Sequence, residues 1–149
     1  MSKNFTTTIL VIILWASLLF PSLTSDSEVE APLLPPDDAS EEFLIKWHIL
    51  HESERFGADF VLAKHIMQCE SSHYGGAVNH NRREDGTIWS TDVGHWQVND
   101  YYHEEAAANM GLDIHDTLEN ITYGFHLLTD GNDPSYYWGA SEYCWGVIL

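Results

Sequence analysis

The sequence predicts an α+β fold, mostly helical with one small β-hairpin sheet. Three observations carry this. Two segments near the start of the folded region repeat apolar residues at helical spacing. A stretch rich in Asn, Asp-Gly and Gly then breaks that pattern into short β-prone runs. Helical periodicity returns afterwards.

The first helix is expected over Phe43 to Arg55, with apolar residues at 43, 44, 47 and 50, and Phe56-Gly57 ends it. Ala58-Asp59 opens the second, FVLAKHIMQCES, whose apolar residues at 62, 66, 69 and at 63, 67 line adjacent faces. Gly75-Gly76 breaks it. From Ala77 to Asn99 the residues Asn79, Asn81, Asp85-Gly86, Thr87, Ile88, Trp89, Thr91, Val93, Gly94 and Val98 predict an irregular hairpin sheet. Helices are expected again at Tyr101 to Met110, closed by Gly111, and at Thr117 to Leu128. Asp130 to Pro134 reads as a loop, and a short aromatic segment follows.

The N-terminal part reads differently. Lys3 precedes an apolar run from Ile9 to Phe20, then small polar residues up to Ser25. This is the order of a secretory signal peptide over 1–25. Twelve apolar residues would span only ~18 Å as a helix, short of the ~30 Å hydrocarbon core. An uncleaved anchor is the alternative, and only then would a membrane be a partner. Residues 26–42 carry seven acidic groups, no basic ones and three prolines, as expected of an extended linker. That assigns 43–149 to a single folded domain, expected to be monomeric.

The chain has 149 residues and a formal net charge of −17, from 6 Lys plus Arg against 23 Asp plus Glu. Beyond Glu42, 16 acids oppose 5 bases, leaving −11. This excludes nucleic acid as a partner, because neutralising phosphates needs clustered Lys and Arg. Nine histidines are expected to gain charge below about pH 6 and partly offset the acids, suiting an acidic or salty setting. No cofactor is indicated. His51-Glu52 and His103-Glu104 lack the second His of a zincin helix, and the acids at 113, 116, 130 and 133 do not match an EF-hand, so no metal site is assigned. His48 and His51 are three apart on one helix, where solvated or partly buried rings are the plainer reading. Asn120-Ile-Thr122 is a glycosylation sequon if the source glycosylates.

Glu70 is the residue to single out. It ends the second helix beside an apolar face, where burial raises a carboxyl's pKa and lets it act as a general acid. From position alone, a solvated glutamate in a last helical turn is the plainer reading.

The surrounding motifs favour the chemistry. Cys69-Glu70-Ser71, then Ala77, Asn79, Asn81, Asp85-Gly86-Thr87 and S-T-D-V-G-H-W-Q-V-N at 90–99 resemble the c-type lysozyme pattern E-S, A-x-N-x-N, D-G-S, D-Y-G-x-x-Q-I-N. They are also similar to the E-S and G-x-x-Q-V/I signature of soluble lytic transglycosylases. The lead-in F-G-A-D-F-V-L-A-K-H-I-M-Q resembles the transglycosylase helix, and Glu119-Asn120-Ile121 with Gly124 resembles the later Asn-Ile helix of both families. The resemblance spans roughly Phe56 to Trp145. It implies a lysozyme-like fold whose hairpin sheet forms one wall of a cleft.

It further implies that Glu70 protonates a glycosidic oxygen. Asp92 would be the second carboxylate, and peptidoglycan glycan strands the substrate. The Glu70–Asp92 segment is longer than in c-type enzymes, with insertions about Arg82-Arg83 and Ile88-Trp89. Asp92 is also open to a plainer role, ordering the turn before Gly94. Gln97, Asn99, Asn79 and Asn81 are expected to bind sugar or stiffen the hairpin. Trp96, Tyr101 and Trp138, with Trp89 and Tyr102, are candidate stacking surfaces for sugar rings, though aromatics are more often core. Cys69 and Cys144 are the only thiols. In an exported protein they are expected to pair, closing a loop of about 75 residues; two free buried thiols are the alternative.

Overall fold

Helix starts in this chain are set by side-chain caps. In the computed structural model, which describes residues 34–148, Ser40 caps α1 (Glu41–Phe56) by accepting from the Phe43 amide at 3.2 Å. The helix therefore begins two residues before the expected position. Asp59 caps α2 (Phe60–Ser71) through the Val61 and Leu62 amides. Asp116 does the same for α4 (Thr117–Leu128) through Leu118 and Glu119. Each cap satisfies orphan amides and places a negative charge or dipole at the helix N-terminus.

Between α2 and α4 lie a three-stranded antiparallel sheet and α3 (Asp100–Asn109). The strands are β1 (Val78–Arg82), β2 (Ile88–Val93) and β3 (Val98–Asn99), in that order across the sheet. The register pairs Asn79 with Asp92 and Asp92 with Asn99. A bulge after Asn81 and a tip at Arg83–Thr87 absorb the extra residues of the hairpin. In the tip, the Asp85 carboxylate takes the Thr87 amide and hydroxyl. The apparent insertion about Arg82-Arg83 thus sits at or beyond the bulge, on the tip side of the Asn79–Asp92 pair.

After α4 the chain makes helical turns: α5 (Ser135–Trp138), a 3₁₀ turn (Gly139–Ser141), α6 (Glu142–Trp145) and a last 3₁₀ turn (Gly146–Ile148). The fold is α+β, as expected. The expected signal segment over 1–25 and residues 26–33 of the expected linker lie outside the described residues; the linker's last two residues, Glu41 and Glu42, instead form the first turn of α1. Among the described residues, no helix is long and apolar enough to cross a membrane.

The core gathers Ile49 of α1, Ala63, Ile66 and Met67 of α2, and Ile121, Phe125 and Leu127 of α4. Its centre is aromatic. Trp96 lies 4.9 Å from Trp138 and 5.4 Å from Phe125, ring centre to ring centre. The Trp138 indole N–H donates to the Trp96 carbonyl at 2.8 Å, and Trp145 donates to the Trp138 carbonyl at 3.1 Å. Such pairs add about 0.5–1.5 kcal/mol to ordinary area burial.

Two glycines let the β2–β3 turn seat on α4. A Cβ at Gly94, whose φ is +73°, would lie 2.4 Å from the Asn120 side chain. One at Gly124 would lie 2.1 Å from the Trp96 ring. Asn120 is fully buried and donates to the Val93 and Ile114 carbonyls at 3.1 and 2.9 Å. The sequon at 120–122 is therefore closed to glycosylation in the folded protein. Its asparagine is a bracket between α4 and the sheet. His48 likewise turns away from His51: its Nε2 meets the Leu118 carbonyl and the Thr122 hydroxyl, each at 3.0 Å, joining α1 to α4.

Cys69 and Cys144 form a disulfide with Cα atoms 6.0 Å apart, tying α2 to α6. Bonds of this kind persist in oxidising compartments.

Candidate active site

Glu70 sits in the last turn of α2, where the helix stops at two residues with left-handed backbone, Ser72 (φ 55°) and His73 (φ 61°). Ser71, next to it, donates to the Met67 and His95 carbonyls at 3.0 and 2.9 Å. The Glu-Ser pair thus has a local logic: the serine fixes the end of α2 to the β2–β3 turn while the glutamate points into a cleft. That cleft has a volume of about 990 Å³. Its sheet side carries Asn79, Asn81, Asp92 and Asn99, with Gln97 of the following turn. Trp89, Tyr102, His103, Tyr136, Tyr137 and Trp138 also line it. A second concavity of about 630 Å³, between the starts of α1 and α2, is mainly apolar and contains neither Glu70 nor Asp92.

The Glu70 carboxyl is half-buried, and burial pushes its pKa above the usual carboxylate range. A hydrogen bond from the Ser141 hydroxyl works against that, and the charge of Asp92 adds to the rise. Asp92 is thus near enough to act on Glu70. Its own surroundings are the opposite of apolar. Oδ2 accepts from Asn79 at 3.2 Å and Asn81 at 3.0 Å, and Oδ1 accepts from Asn99 at 2.6 Å. The register explains this. Asn79 and Asn99 flank Asp92 in the neighbouring strands, and Asn81 lies two residues along on the same face. Asn81 and Asn99 give their second N–H to Ser90 Oγ, at 3.0 and 2.9 Å.

These bonds support the stiffening role expected of the amides, and all four also line the cleft. An Asn side chain has two N–H donors. Asn81 and Asn99 spend both on Asp92 and Ser90. Gln97, with φ 48°, donates to the Ala77 and Gly94 carbonyls at 3.2 and 3.0 Å and so braces the turn. They line the cleft, but their donors hold the sheet and Asp92 in place.

Among the aromatic candidates, Trp96 needs correction. Trp96 is fully buried among Phe125 and Trp138, so it belongs to the core and offers no face to a sugar. Trp138 borders the cleft but is 4% exposed, with its N–H committed to Trp96. Tyr101 is exposed and packs edge-on against Trp89 and Tyr102, but it is not among the cleft residues; Tyr102 is. The helix turns these successive residues by about 100°, which a count of aromatics does not resolve.

Sequence reasoning missed Tyr136, Tyr137, His103 and Ser141. His103 stands in the first turn of α3, just past the Asn99 cap. Its Nδ1 lies 3.1 Å from the buried Tyr123 hydroxyl. Ser141 lies 71 residues from Glu70 and left no local sign.

The expected gain of histidine charge near pH 6 does not extend to four of the nine histidines. Burial holds the pKa values of His48, His73 and His103 below the usual histidine range, and that of His95 down to about 4. Comparison with protein-family models, curated proteins and solved structures finds no match for this chain.

Proposed function

We propose that the protein is an exported glycosidase that cleaves peptidoglycan glycan strands, with Glu70 as general acid and Asp92 as the second carboxylate. The observation that carries this reading is the contrast between the two carboxyls of one cleft. Glu70 is half-buried with its proton affinity raised, and Asp92 is bound by three amide donors. A protonated acid beside a fixed carboxylate is what glycosidic cleavage requires: the first protonates the leaving oxygen, the second supports oxocarbenium charge. Lysozymes divide the labour between two carboxyls in this way. Trp89, Tyr102 and Tyr136 line the cleft and would stack sugar rings.

The test is mass spectrometry of fragments released from purified peptidoglycan. Hydrolysis gives reducing sugars, and Glu70→Gln lowers their release by at least about 100-fold. Activity falls as pH rises through the Glu70 pKa, since only the protonated form donates. Unchanged turnover in Glu70→Gln rejects the assignment. A second reading is a lytic transglycosylase using Glu70 alone, in which Asp92, with both oxygens held by amides, only orders the hairpin. Anhydro-sugar ends identify it. A cleft that binds glycan and releases no product is the remaining reading, a catalytically inactive domain.

A further inference from the structure

The Ser141 hydroxyl occupies a position that the cleft's sugar-binding role does not explain. Its Oγ lies within hydrogen-bond distance of three groups. One is Glu70 Oε1; the others are the Trp138 carbonyl at 3.1 Å and the Trp145 indole nitrogen at 3.0 Å. An indole N–H only donates; that of Trp145 is shared between Ser141 Oγ and the Trp138 carbonyl, so Trp145 cannot take the hydroxyl proton. That leaves one hydroxyl proton and two acceptors.

We infer that Ser141 is a positioning residue for Glu70, whose single proton turns from the Trp138 carbonyl to the Glu70 carboxylate as that acid gives its proton away. The inference rests on Glu70 being the general acid. The direction follows from acceptor strength. While Glu70 is protonated its oxygen is a neutral acceptor, and the peptide carbonyl of Trp138 competes well. Once the Glu70 O–H proton has passed to the glycosidic oxygen, Oε1 belongs to a carboxylate, and a charge-assisted bond is roughly twice as strong. The bond is then strongest in the state that proton transfer creates, the condition for an interaction to speed the step and not merely tighten binding. Ser141 itself keeps its proton throughout.

Placement supports the same reading. Ser141 and Cys144 are three residues apart, and Glu70 and Cys69 are adjacent, so the disulfide and the Ser141–Glu70 bond join the same two segments at neighbouring points. Trp145, 2% exposed, anchors the far side. The opposition of burial and the Ser141 bond in setting the Glu70 proton affinity agrees with this arrangement.

The experiment is a carboxyl-carbon NMR titration of the intact, oxidised chain labelled at glutamate, with Glu70 assigned by its loss in Glu70→Gln. Ser141→Ala should raise the Glu70 midpoint by about one pH unit, the size expected for one hydrogen bond to a charged group. Ser141→Thr, which keeps the hydroxyl, should restore it. The alkaline limb of kcat should move with the midpoint, kcat should fall about tenfold, and KM should stay within about twofold. A midpoint in Ser141→Ala that is unchanged or lower overturns the proposal, even if the variant melts earlier. A midpoint that moves as stated, in a protein that releases no glycan fragment, supports the hydrogen bond and overturns the acid role it rests on.

Discussion

Asp92 accepts three amide hydrogen bonds, and each donor comes from a residue whose position in the sheet is fixed by register. A residue so held acts by its charge and place. Asn99→Ala removes the shortest of the three bonds and one to the buried Ser90, and should lower kcat about tenfold with KM little changed, at a cost of about 1–3 kcal/mol in stability. Steady-state kinetics on glycan fragments decides. A raised KM with unchanged kcat would move Asn99 from supporting Asp92 to touching sugar. At this scale the sequence was informative where chemistry and local pattern coincide. Glu70 ends an amphipathic helix, and the Asn-x-Asn spacing places two amides on one strand face. Ser141 was invisible, because contact across 71 residues leaves no periodicity.

The elements show why the helices and hairpin were readable and their docking was not. Asp59 and Asp116 are side-chain caps, a signal local to the chain, and α4 spans the residues expected of it. The hairpin announced itself through Asp85-Gly86 and its β-prone flanks. Periodicity tells which face of α4 is apolar, but not that Gly124 receives the Trp96 ring or that Asn120 receives Gly94. For that reason Trp96 read as a surface ring and Asn120 as a sequon. The packing predicts a specific cost. Gly124→Ala should destabilise the fold by about 1–3 kcal/mol, the range for overpacking a tight core, despite alanine's better helix propensity. Urea unfolding measures it. Pairing Gly124→Ala with Trp96→Phe should recover part of the loss, because the smaller ring frees space.

For the whole molecule, charge and histidine chemistry pull in different directions. A chain at −17 gains from acid conditions if its histidines protonate. Four of them are instead buried in ways that favour the neutral ring, and His95, fully buried with neither ring nitrogen hydrogen-bonded, is the extreme case. Its folded pKa of about 4 lies below the ordinary histidine value of 6.5. Between those values the unfolded chain binds the proton and the folded chain does not. Stability from this ring is therefore complete above about pH 6.5, falls as pH drops, and levels off below about pH 4. The loss is roughly 2–3 kcal/mol for His95 alone, and His48, His73 and His103 add in the same direction. Urea midpoints from pH 7.5 to pH 4 should fall accordingly, and His95→Gln should flatten the slope. A midpoint that rises over that range contradicts the account.

The glycine seats on α4 also govern how this chain can change over time. The space at position 124 is filled by the ring at 96, and the space at position 94 by the amide at 120. A side chain can enter at one member of a pair only if the other shrinks or withdraws. Each pair is thus constrained as a unit, while the exposed hairpin tip at 83–87 is constrained only locally, by the Asp85–Thr87 bonds and the φ of +84° at Gly86. Descent in such a protein is recorded less in a string of shared letters than in substitutions that arrive two at a time.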